Sequence, residues 1–192
     1  MAKQVAKSLR AAAFARDLES WHPDAEGQES LRVDYLELLR ERGETSLDRD
    51  GGRQHLTASC FVFAPSLDSV LLCFHKKGQF WVQFGGHIEP DDPGVSAAAF
   101  REAIEESGIP DVTPIATTPL DLDRHSLGSG FTRCDVHWDV GFGATAAEDA
   151  FPITSDESED VRWWPLGALP PQVPHNFANR LRRVVAAIQE LQ

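Results

Sequence analysis

Apolar residues at helical spacing predict two amphipathic helices in the first 50 residues. The first helix has its apolar positions between Val5 and Leu18, and Gly43 is placed to end the second. The apolar stripe of the second helix comprises Leu31, Tyr35, Leu38 and Leu39. Two helices alone cannot bury both stripes, so we expect them to pack on the rest of the protein or on a second subunit. We therefore predict a helical extension over residues 1–50 and a main domain over residues 51–192, with a homodimer through the extension as one alternative.

The apolar pattern changes from helical spacing to alternation at about Gly51. Segments rich in β-branched and aromatic side chains, bounded by turn-forming residues, predict strands at residues 55–63, 70–77, 79–84, 132–142 and 160–166. The first two are expected to pair in antiparallel fashion, and the third ends at a pair of glycines, Gly85 and Gly86. Residues 132–142 alternate most regularly between apolar and polar positions.

Two further helices complete the pattern. The first covers about fifteen residues after the glycine pair, with Asp92 as its expected N-cap, Pro93 in its first turn and Gly108 just past its end. The second is an amphipathic helix over residues 175–192 at the C-terminus. Strands therefore flank a central helix, and helices stand at both ends of the chain. This order predicts a layered fold of the α/β or α+β class.

Three glutamates crowd one side of the central helix. At 100° per residue, Glu102, Glu105 and Glu106 fall within an arc of about 100°. The opposite side is expected to face the core and comprises Ala97, Phe100, Ala103, Ile104 and Ser107. Like charges at these spacings cost about 0.2–0.5 kcal/mol per pair in an exposed helix. A solvated face with Arg101 as an intrahelical partner is therefore one interpretation.

The surroundings of these glutamates favour a metal site instead. A Gly-Gly turn brings the backbone close to the helix, and Glu89 and Asp92 add carboxylates in the connecting loop. The small residues Ala98 and Ala99 leave room one turn upstream. Carboxylate oxygens that converge on a cleft suit Mg²⁺ or Mn²⁺, which keep several waters and bridge to substrate phosphates.

Residues 86–109 resemble the Nudix box. That pattern is a glycine, five residues, a glutamate, seven residues, Arg-Glu, an apolar residue, any residue, Glu-Glu, any residue, a glycine and an apolar residue. Gly86 matches the first glycine, and residues 101–109 match the second half without a gap. Asp92 stands where a glutamate is expected, and eight residues separate it from Arg101, which is a one-residue insertion. The similarity extends over about residues 52–172.

The resemblance implies a Nudix-like α/β/α sandwich with a mixed sheet, to which the apolar pattern adds an N-terminal helical hairpin and a C-terminal helix. It also implies a hydrolase that uses Mg²⁺ or Mn²⁺ to cleave a diphosphate linkage in a small molecule, either a nucleoside diphosphate derivative or a nucleoside triphosphate. By similarity, the metal ligands would be Glu102, Glu105, Glu106 and the carbonyl group of Gly85. Glu102 would also orient or deprotonate the attacking water, and Arg101 would hold a neighbouring glutamate.

A later acidic loop is expected to supply a further catalytic carboxylate. Glu157 is the predicted residue, with Asp156, Glu159 and Asp160 as competitors. Two alternatives to hydrolysis stay open: a Nudix-fold regulator that binds a nucleotide without cleaving it, and an isomerase of an isopentenyl-type diphosphate. The isomerase would require a cysteine opposed to a glutamate, and the surroundings of Cys60 do not resemble that motif.

Substrate-binding candidates are fewer. Trp81 lies beside the glycine pair and could stack on a base, although a core position is equally expected for it. His125, in a predicted loop, and His137, on the polar face of a predicted strand, could line the pocket. Cys134 and His137 have a C-x-x-H spacing, but positions three apart on a strand point to opposite faces, so we expect no shared metal ion.

Composition limits the partners. The chain of 192 residues carries 18 basic and 30 acidic residues, a net charge of -12, which disfavours binding to nucleic acid. Its three cysteines, Cys60, Cys73 and Cys134, lack C-x-x-C spacing and predict reduced thiols of a cytoplasmic protein. We also expect no targeting segment and no membrane contact, because the sequence contains no long apolar run.

Overall fold

A computed structural model describes residues 9–127, 134–154 and 158–191. The helices in these residues are α1 (Arg10–Ser20), α2 (Gln28–Arg42), α3 (Val95–Ser107) and α4 (Phe177–Glu190), and a 3-10 turn (Gly43–Ser46) follows α2. The strands are β1 (Gln54–Phe63), β2 (Ser69–His75), β3 (Phe80–Val82), β4 (Phe84–His87), β5 (Thr113–Pro114), β6 (Asp121–Ser126), β7 (Val136–Thr145) and β8 (Ser158–Pro165).

The described strands form one mixed sheet with β1 at its centre. Strand β1 pairs in parallel with β7 along its whole length, from Gln54 opposite Val136 to Phe63 opposite Thr145. Its other edge pairs antiparallel with β4 and then with β2, and β2 in turn pairs with β3 and β8. The outer edge of β7 pairs with β6 and β5. One parallel pair among antiparallel ones agrees with the predicted mixed sheet.

Helices cover both faces of this sheet, as expected for an α/β/α sandwich. Side chains alternate along β1, so Leu56, Ala58, Cys60 and Val62 enter a core shared with α1, α2 and α3. Phe61 and Phe63 point the other way and pack with Phe177, Leu181, Val184 and Ile188 of α4. The α3 face of the sheet and the α4 face of the sheet therefore have separate cores.

The two N-terminal helices pack on the α3 face of the sheet. Phe14 and Leu18 of α1 and Leu38 of α2 are buried in its core. The amide of Gln28 donates to the carbonyl oxygen of Leu122 at 2.9 Å and accepts from its N–H at 2.7 Å. Because Leu122 belongs to β6, α2 is fixed to the edge of the sheet. The predicted domain boundary at residue 50 and the predicted homodimer stay predictions.

Three local predictions differ from the structure. Residues 79–84 were predicted as one strand, but β3 pairs with β2 while β4 pairs with β1, and Gln83 lies between them. Residues 121–125 were predicted as a loop, but they form β6 on the edge of β7. Helix α3 begins at Val95 with Gly94 as its N-cap, so Asp92 does not cap it. Gly108 does end it, with a left-handed φ of 66°.

Cys60, Cys73 and Cys134 are buried, and none of the three is in a disulfide bond. Among the described helices, none combines the length and the apolar character needed to cross a bilayer.

Candidate active site

Helix α3 lies against β1 and β4 through small side chains. Its buried residues are Val95, Ala98, Ala99, Ala103, Glu106 and Ser107. The predicted core side is therefore correct for Ala103 and Ser107 but wrong for Ile104, which is 38% exposed. Glu106 takes a buried position because the alanines let the helix approach the glycine pair of β4 closely. The glutamates consequently border the buried face of α3 and do not lie opposite to it.

Glu106 contacts the backbone of β4 directly. Its Oε2 accepts a hydrogen bond from the N–H of Gly85 at 3.0 Å. A Cβ atom on Gly85 would lie 2.7 Å from the Cβ of Ser59 on β1, so only glycine allows the two strands to pack this closely here. The carboxylate of Glu106 is thus held on the backbone of Gly85, the residue whose carbonyl group is a predicted metal ligand.

Glu102 lies against the second glycine of the pair. A Cβ atom on Gly86 would be 2.6 Å from Oε1 of Glu102 and 2.7 Å from its carboxyl carbon. The missing side chain of Gly86 therefore forms the space that the carboxylate occupies. The side chain of Glu102 is 16% exposed, so it can still be reached from solvent.

Arg101 connects the glutamates of α3 to the preceding loop. Its Nε and one terminal nitrogen donate to the two oxygens of Asp92, at 2.9 and 3.0 Å. The other terminal nitrogen donates to Glu102 at 3.1 Å and to Glu105 at 2.9 Å. The hydrogen bonds to Asp92 raise the pKa of Arg101 above its ordinary value, and it remains a cation throughout the accessible pH range.

Asp92 closes the loop that carries the inserted residue. It is 6% exposed, and its Oδ2 also accepts the N–H of Glu89 at 2.7 Å. The carboxylate therefore binds both Arg101 and the loop backbone, which explains why it is buried without capping α3. The loop is also bound from outside, because Arg10 of α1 donates to the carbonyl oxygens of Glu89 at 2.8 Å and Asp92 at 3.1 Å.

These residues fit a hard divalent cation. Glu102, Glu105 and Glu106 provide carboxylate oxygens along one edge of α3, and the side chain of Glu105 is 59% exposed. The space beside Gly86 accommodates the carboxylate of Glu102 against the backbone of β4. Oxygen donors of this kind are those that Mg²⁺ and Mn²⁺ prefer.

The α4 face of the sheet carries a second polar group of residues. Arg180 of α4 is buried and donates to Asp121 at 2.6 Å and to Asp139 at 2.7 Å. Asp139 also accepts the hydroxyl groups of Thr57 and Ser59, at 2.9 and 2.6 Å. Burial alone would raise the pKa of Asp139, but Arg180 and the hydrogen bond from Ser59 outweigh it and lower the pKa. The carboxylate therefore stays ionised inside the sandwich.

Three histidines meet on the same face. His55, His87 and His137 place one ring nitrogen each within 4.8 Å of the others. Burial lowers the pKa of His137 to about 3 and that of His87 to about 4. The neighbouring histidines disfavour a second proton at His137, and Arg49 does the same at His87. Burial also lowers the pKa of His55, with the backbone of Gly52 acting in the opposite direction. All three imidazoles are therefore neutral at physiological pH.

Two predicted substrate residues, His125 and His137, lie side by side on this face. His137 belongs to the three-histidine group, and His125 on β6 lies beside it, with ring centres 5.7 Å apart. Nδ1 of His125 is 2.8 Å from Oδ2 of Asp123. Trp81 is buried in the core and packs edge-on against Phe74 and Trp164. The substrate roles of these residues stay predictions.

The prediction that Cys134 and His137 point to opposite faces of one strand is wrong. Sγ of Cys134 lies 3.4 Å from Nε2 of His137. Strand β7 begins only at Val136, so the alternation of a strand does not apply to Cys134.

The late acidic loop is only partly described. Glu157, the predicted catalytic residue, and its competitor Asp156 lie outside the described residues. Glu159 accepts a hydrogen bond from the side chain of Gln79 at 3.1 Å, and Asp160 pairs with Arg162. The role of Glu157 stays a prediction.

A family model for the NUDIX domain matches residues 53–188 of this chain. The chain belongs to the NUDIX domain family. The predicted Nudix box thus lies in the matched region, and the predicted enzyme class, a Nudix pyrophosphohydrolase, agrees with this membership. No curated protein sequence matches the chain at a significant level.

Solved structures of Nudix proteins share the fold. A NUDIX family hydrolase from Clostridium perfringens is 24% identical, with a TM-score of 0.53, and the match covers 76% of this chain and 100% of that one. The dihydroneopterin triphosphate pyrophosphohydrolase of E. coli is 14% identical, with a TM-score of 0.56 and coverages of 68% and 94%. An Ap4A hydrolase from C. elegans is 18% identical, with a TM-score of 0.52 and coverages of 70% and 98%. At these identities the likeness concerns the fold.

The sequence analysis did not single out His55 and His87. One signal was present, because His55 begins one predicted strand while His87 directly follows the glycine pair that ends another. Their contact depends on the order of β4, β1 and β7 in the sheet, which the one-dimensional pattern does not contain.

Proposed function

We propose that this Nudix protein hydrolyses a diphosphate linkage in a nucleoside diphosphate derivative or a nucleoside triphosphate, with Mg²⁺ or Mn²⁺ as its cofactor. The observation that carries the proposal is the position of Glu102, whose carboxylate fills the space left by the missing side chain of Gly86. Glu106 lies beside it on the N–H of Gly85. Glu102, Glu105, Glu106 and the carbonyl group of Gly85 would hold the cation.

The cation, when bound, would screen the substrate from an acidic protein and polarise its phosphoryl oxygens. The protein supplies the rest of the chemistry. Glu102 orients the attacking water or accepts its proton, because its carboxylate is fixed on one side by Gly86 and on the other by Arg101. Arg101 is a positioning residue, since its guanidinium group donates to Asp92 in the loop, to the carbonyl oxygen of His87 at the end of β4, and to the glutamates of α3. Glu157 is proposed as a further carboxylate for the same water.

A substrate panel tests this proposal. It contains nucleotide sugars, dinucleoside polyphosphates, NADH, ADP-ribose and nucleoside triphosphates. Dihydroneopterin triphosphate is added because one structure of the same fold is its pyrophosphohydrolase. Each compound is incubated with the full-length protein, with or without Mg²⁺ or Mn²⁺, and the products are separated by anion-exchange chromatography.

We expect cleavage between two phosphorus atoms for one class of substrate, and only with metal present. Glu106→Gln should abolish this cleavage. Glu41→Gln, on the exposed side of α2, should leave it unchanged. Tight nucleotide binding without cleavage would instead favour a regulator, and isomerisation of an isopentenyl-type diphosphate would favour an isomerase.

We further propose that the protein is cytoplasmic, which its three free thiols support. A homodimer through α1 and α2 is the predicted assembly, although both helices already contribute to the core of the same chain. Light scattering of the purified protein at several concentrations tests it, and a concentration-independent monomer mass would exclude the dimer.

A further inference from the structure

The three-histidine group of His55, His87 and His137 is formed by three adjacent strands. His55 on β1 is the direct partner of His137 on β7 in the parallel ladder. His87 on β4 is opposite Thr57, two residues from His55 and on the same face of β1. The sheet therefore brings together three residues that are far apart in the chain: His87 is 32 positions after His55, and His137 is 50 positions after His87.

This group is distinct from the glutamate site. Alternation along β1 places His55 on the α4 face with Phe61, whereas Ala58 points to the α3 face. Glu102 approaches Gly86 from the α3 face, while His87, the next residue of β4, points to the other. The backbone of the sheet thus separates the two groups. The proposed hydrolysis gives the three histidines no part in holding Mg²⁺ or Mn²⁺, and His137 alone among them is also a predicted substrate residue.

His55 is the member of the group that most requires a partner. Its side chain is buried, with the residue 1% exposed, and neither Nδ1 nor Nε2 makes a hydrogen bond of normal geometry among the described residues, although the backbone of Gly52 lies close enough to raise the pKa. Buried polar atoms in folded proteins are nearly always paired, so an orphaned imidazole deserves a physical explanation. Its ring lies 5.0 Å from that of His137 and 5.1 Å from that of His87, centre to centre. A shared ion between the rings would satisfy it.

We propose that His55, His87 and His137 form a second metal site, which binds Zn²⁺ or a similar cation that prefers nitrogen ligands. Imidazole suits such ions, whereas Mg²⁺ and Mn²⁺ prefer oxygen. Zn–N bonds of about 2.0–2.1 Å in tetrahedral geometry require nitrogens roughly 3.3 Å apart. The ligand atoms lie within 4.8 Å, so small rotations of the rings close the site.

The site would clip three strands together and retain an open coordination position. Three protein ligands with a fourth open position are typical of zinc sites that accept a further ligand. The thiol of Cys134, 3.4 Å from Nε2 of His137, is the nearest further donor shown for this group. The ligand proposed for the three-histidine group is therefore one divalent cation of the zinc type.

Metal titration of the chelator-treated, full-length protein tests the proposal without any substrate. We expect one equivalent of Zn²⁺, or of Co²⁺ with the visible absorption of a tetrahedral complex. His87→Ala and His137→Ala should each weaken zinc binding by more than about 100-fold, beyond the effect typical of an outer-shell residue. His22→Ala, which removes an exposed histidine near α1, should bind zinc like the wild type.

Two further measurements keep the result interpretable. The triple variant Glu102→Gln, Glu105→Gln and Glu106→Gln should keep full zinc affinity, and loss of affinity there would assign the zinc to the glutamates and overturn the proposal. Long-range ¹H–¹⁵N spectra of the wild type should show zinc-dependent shifts of the imidazole nitrogens of all three histidines, whether or not the variants fold. Absence of these shifts, or no zinc binding by the wild type, would mean that the rings only pack together.

Discussion

Arg101 and Asp92 form a two-point ion pair, in which Nε donates to Oδ1 at 2.9 Å and a terminal nitrogen donates to Oδ2 at 3.0 Å. The pair spans the inserted residue of the Nudix box and ties the loop to α3. Because the same guanidinium group reaches Glu102 and Glu105, it fixes both glutamates relative to the loop. The insertion is thus absorbed without displacing the second half of the box.

Arg101→Lys should lower the rate of hydrolysis by roughly 10- to 100-fold, the usual effect of losing a residue that orients metal ligands. Lysine keeps the charge but cannot bind Asp92 through two parallel hydrogen bonds. The measurement is kcat/KM on the substrate found in the panel. Arg32→Lys is the matched control, because Arg32 makes a two-point pair with the exposed Glu29 of α2, and its one other described contact is with the carbonyl oxygen of Leu18 on α1. Equal rates for both variants and the wild type would contradict the positioning role.

Gly86→Ala should also lower the rate by about 10-fold or more. The added Cβ would lie 2.6 Å from Oε1 of Glu102, so the carboxylate must leave its place. Gly94→Ala tests the same substitution a few residues away, where a Cβ would meet nothing within 4 Å. We expect full activity from Gly94→Ala. An active Gly86→Ala protein would show that the position of Glu102 is unimportant.

Arg10→Ala should lower both stability and activity. Arg10 on α1 donates to the carbonyl oxygens of Glu89 and Asp92, in the loop between β4 and α3. Loss of these charged hydrogen bonds should reduce the free energy of unfolding by about 1–3 kcal/mol. Denaturant melts and steady-state rates are the measurements. Arg16→Ala, at an exposed position of the same helix, should change neither. If both variants behaved alike, the extension would have no part in holding the loop.

Arg180→Met should destabilise the fold strongly, by about 3–5 kcal/mol. The substitution leaves Asp139 buried without its cation and leaves Asp121 with Arg183 as its only cationic partner among those described. Arg182→Met, two residues further along α4 and exposed, should cost far less. Equal melting curves for the two variants would mean that the buried charges are compensated by other groups.

Sequence pattern and structure agree where one face of an element decides its position. The alternation of β7 places Trp138, Val140 and Phe142 in the core under the helices, as predicted. The second half of the Nudix box was also recognisable, because Arg101 and the glutamates lie on one helix, and their spacing in the sequence follows from its geometry. Such features depend on local geometry, which the order of residues determines.

The remaining features depend on tertiary contacts. Helical periodicity predicted that Ile104 is buried and Glu106 is exposed, whereas the structure shows the reverse. Glu106 is buried because α3 approaches Gly85 closely, and helical periodicity does not specify this approach. Strand β6 is rich in charged residues and resembled a loop, but Arg180 neutralises Asp121 inside the sandwich. Arg180 lies on α4, 59 residues after Asp121, so the local pattern around β6 does not contain this ion pair.

The most direct test of the central claim is the Mg²⁺-dependent stability of single glutamate variants, measured together with turnover. Mg²⁺ at 100 times its dissociation constant should stabilise the wild type by about 2.7 kcal/mol. In Glu105→Gln and Glu106→Gln the protein without metal should be as stable as the wild type or slightly more so, because a mutual repulsion is relieved. The Mg²⁺-induced stabilisation should disappear in both, and turnover should fall roughly 10²-fold or more. Glu41→Gln should retain both, whereas undiminished turnover and stabilisation in Glu105→Gln and Glu106→Gln would show that these glutamates are only a charged surface.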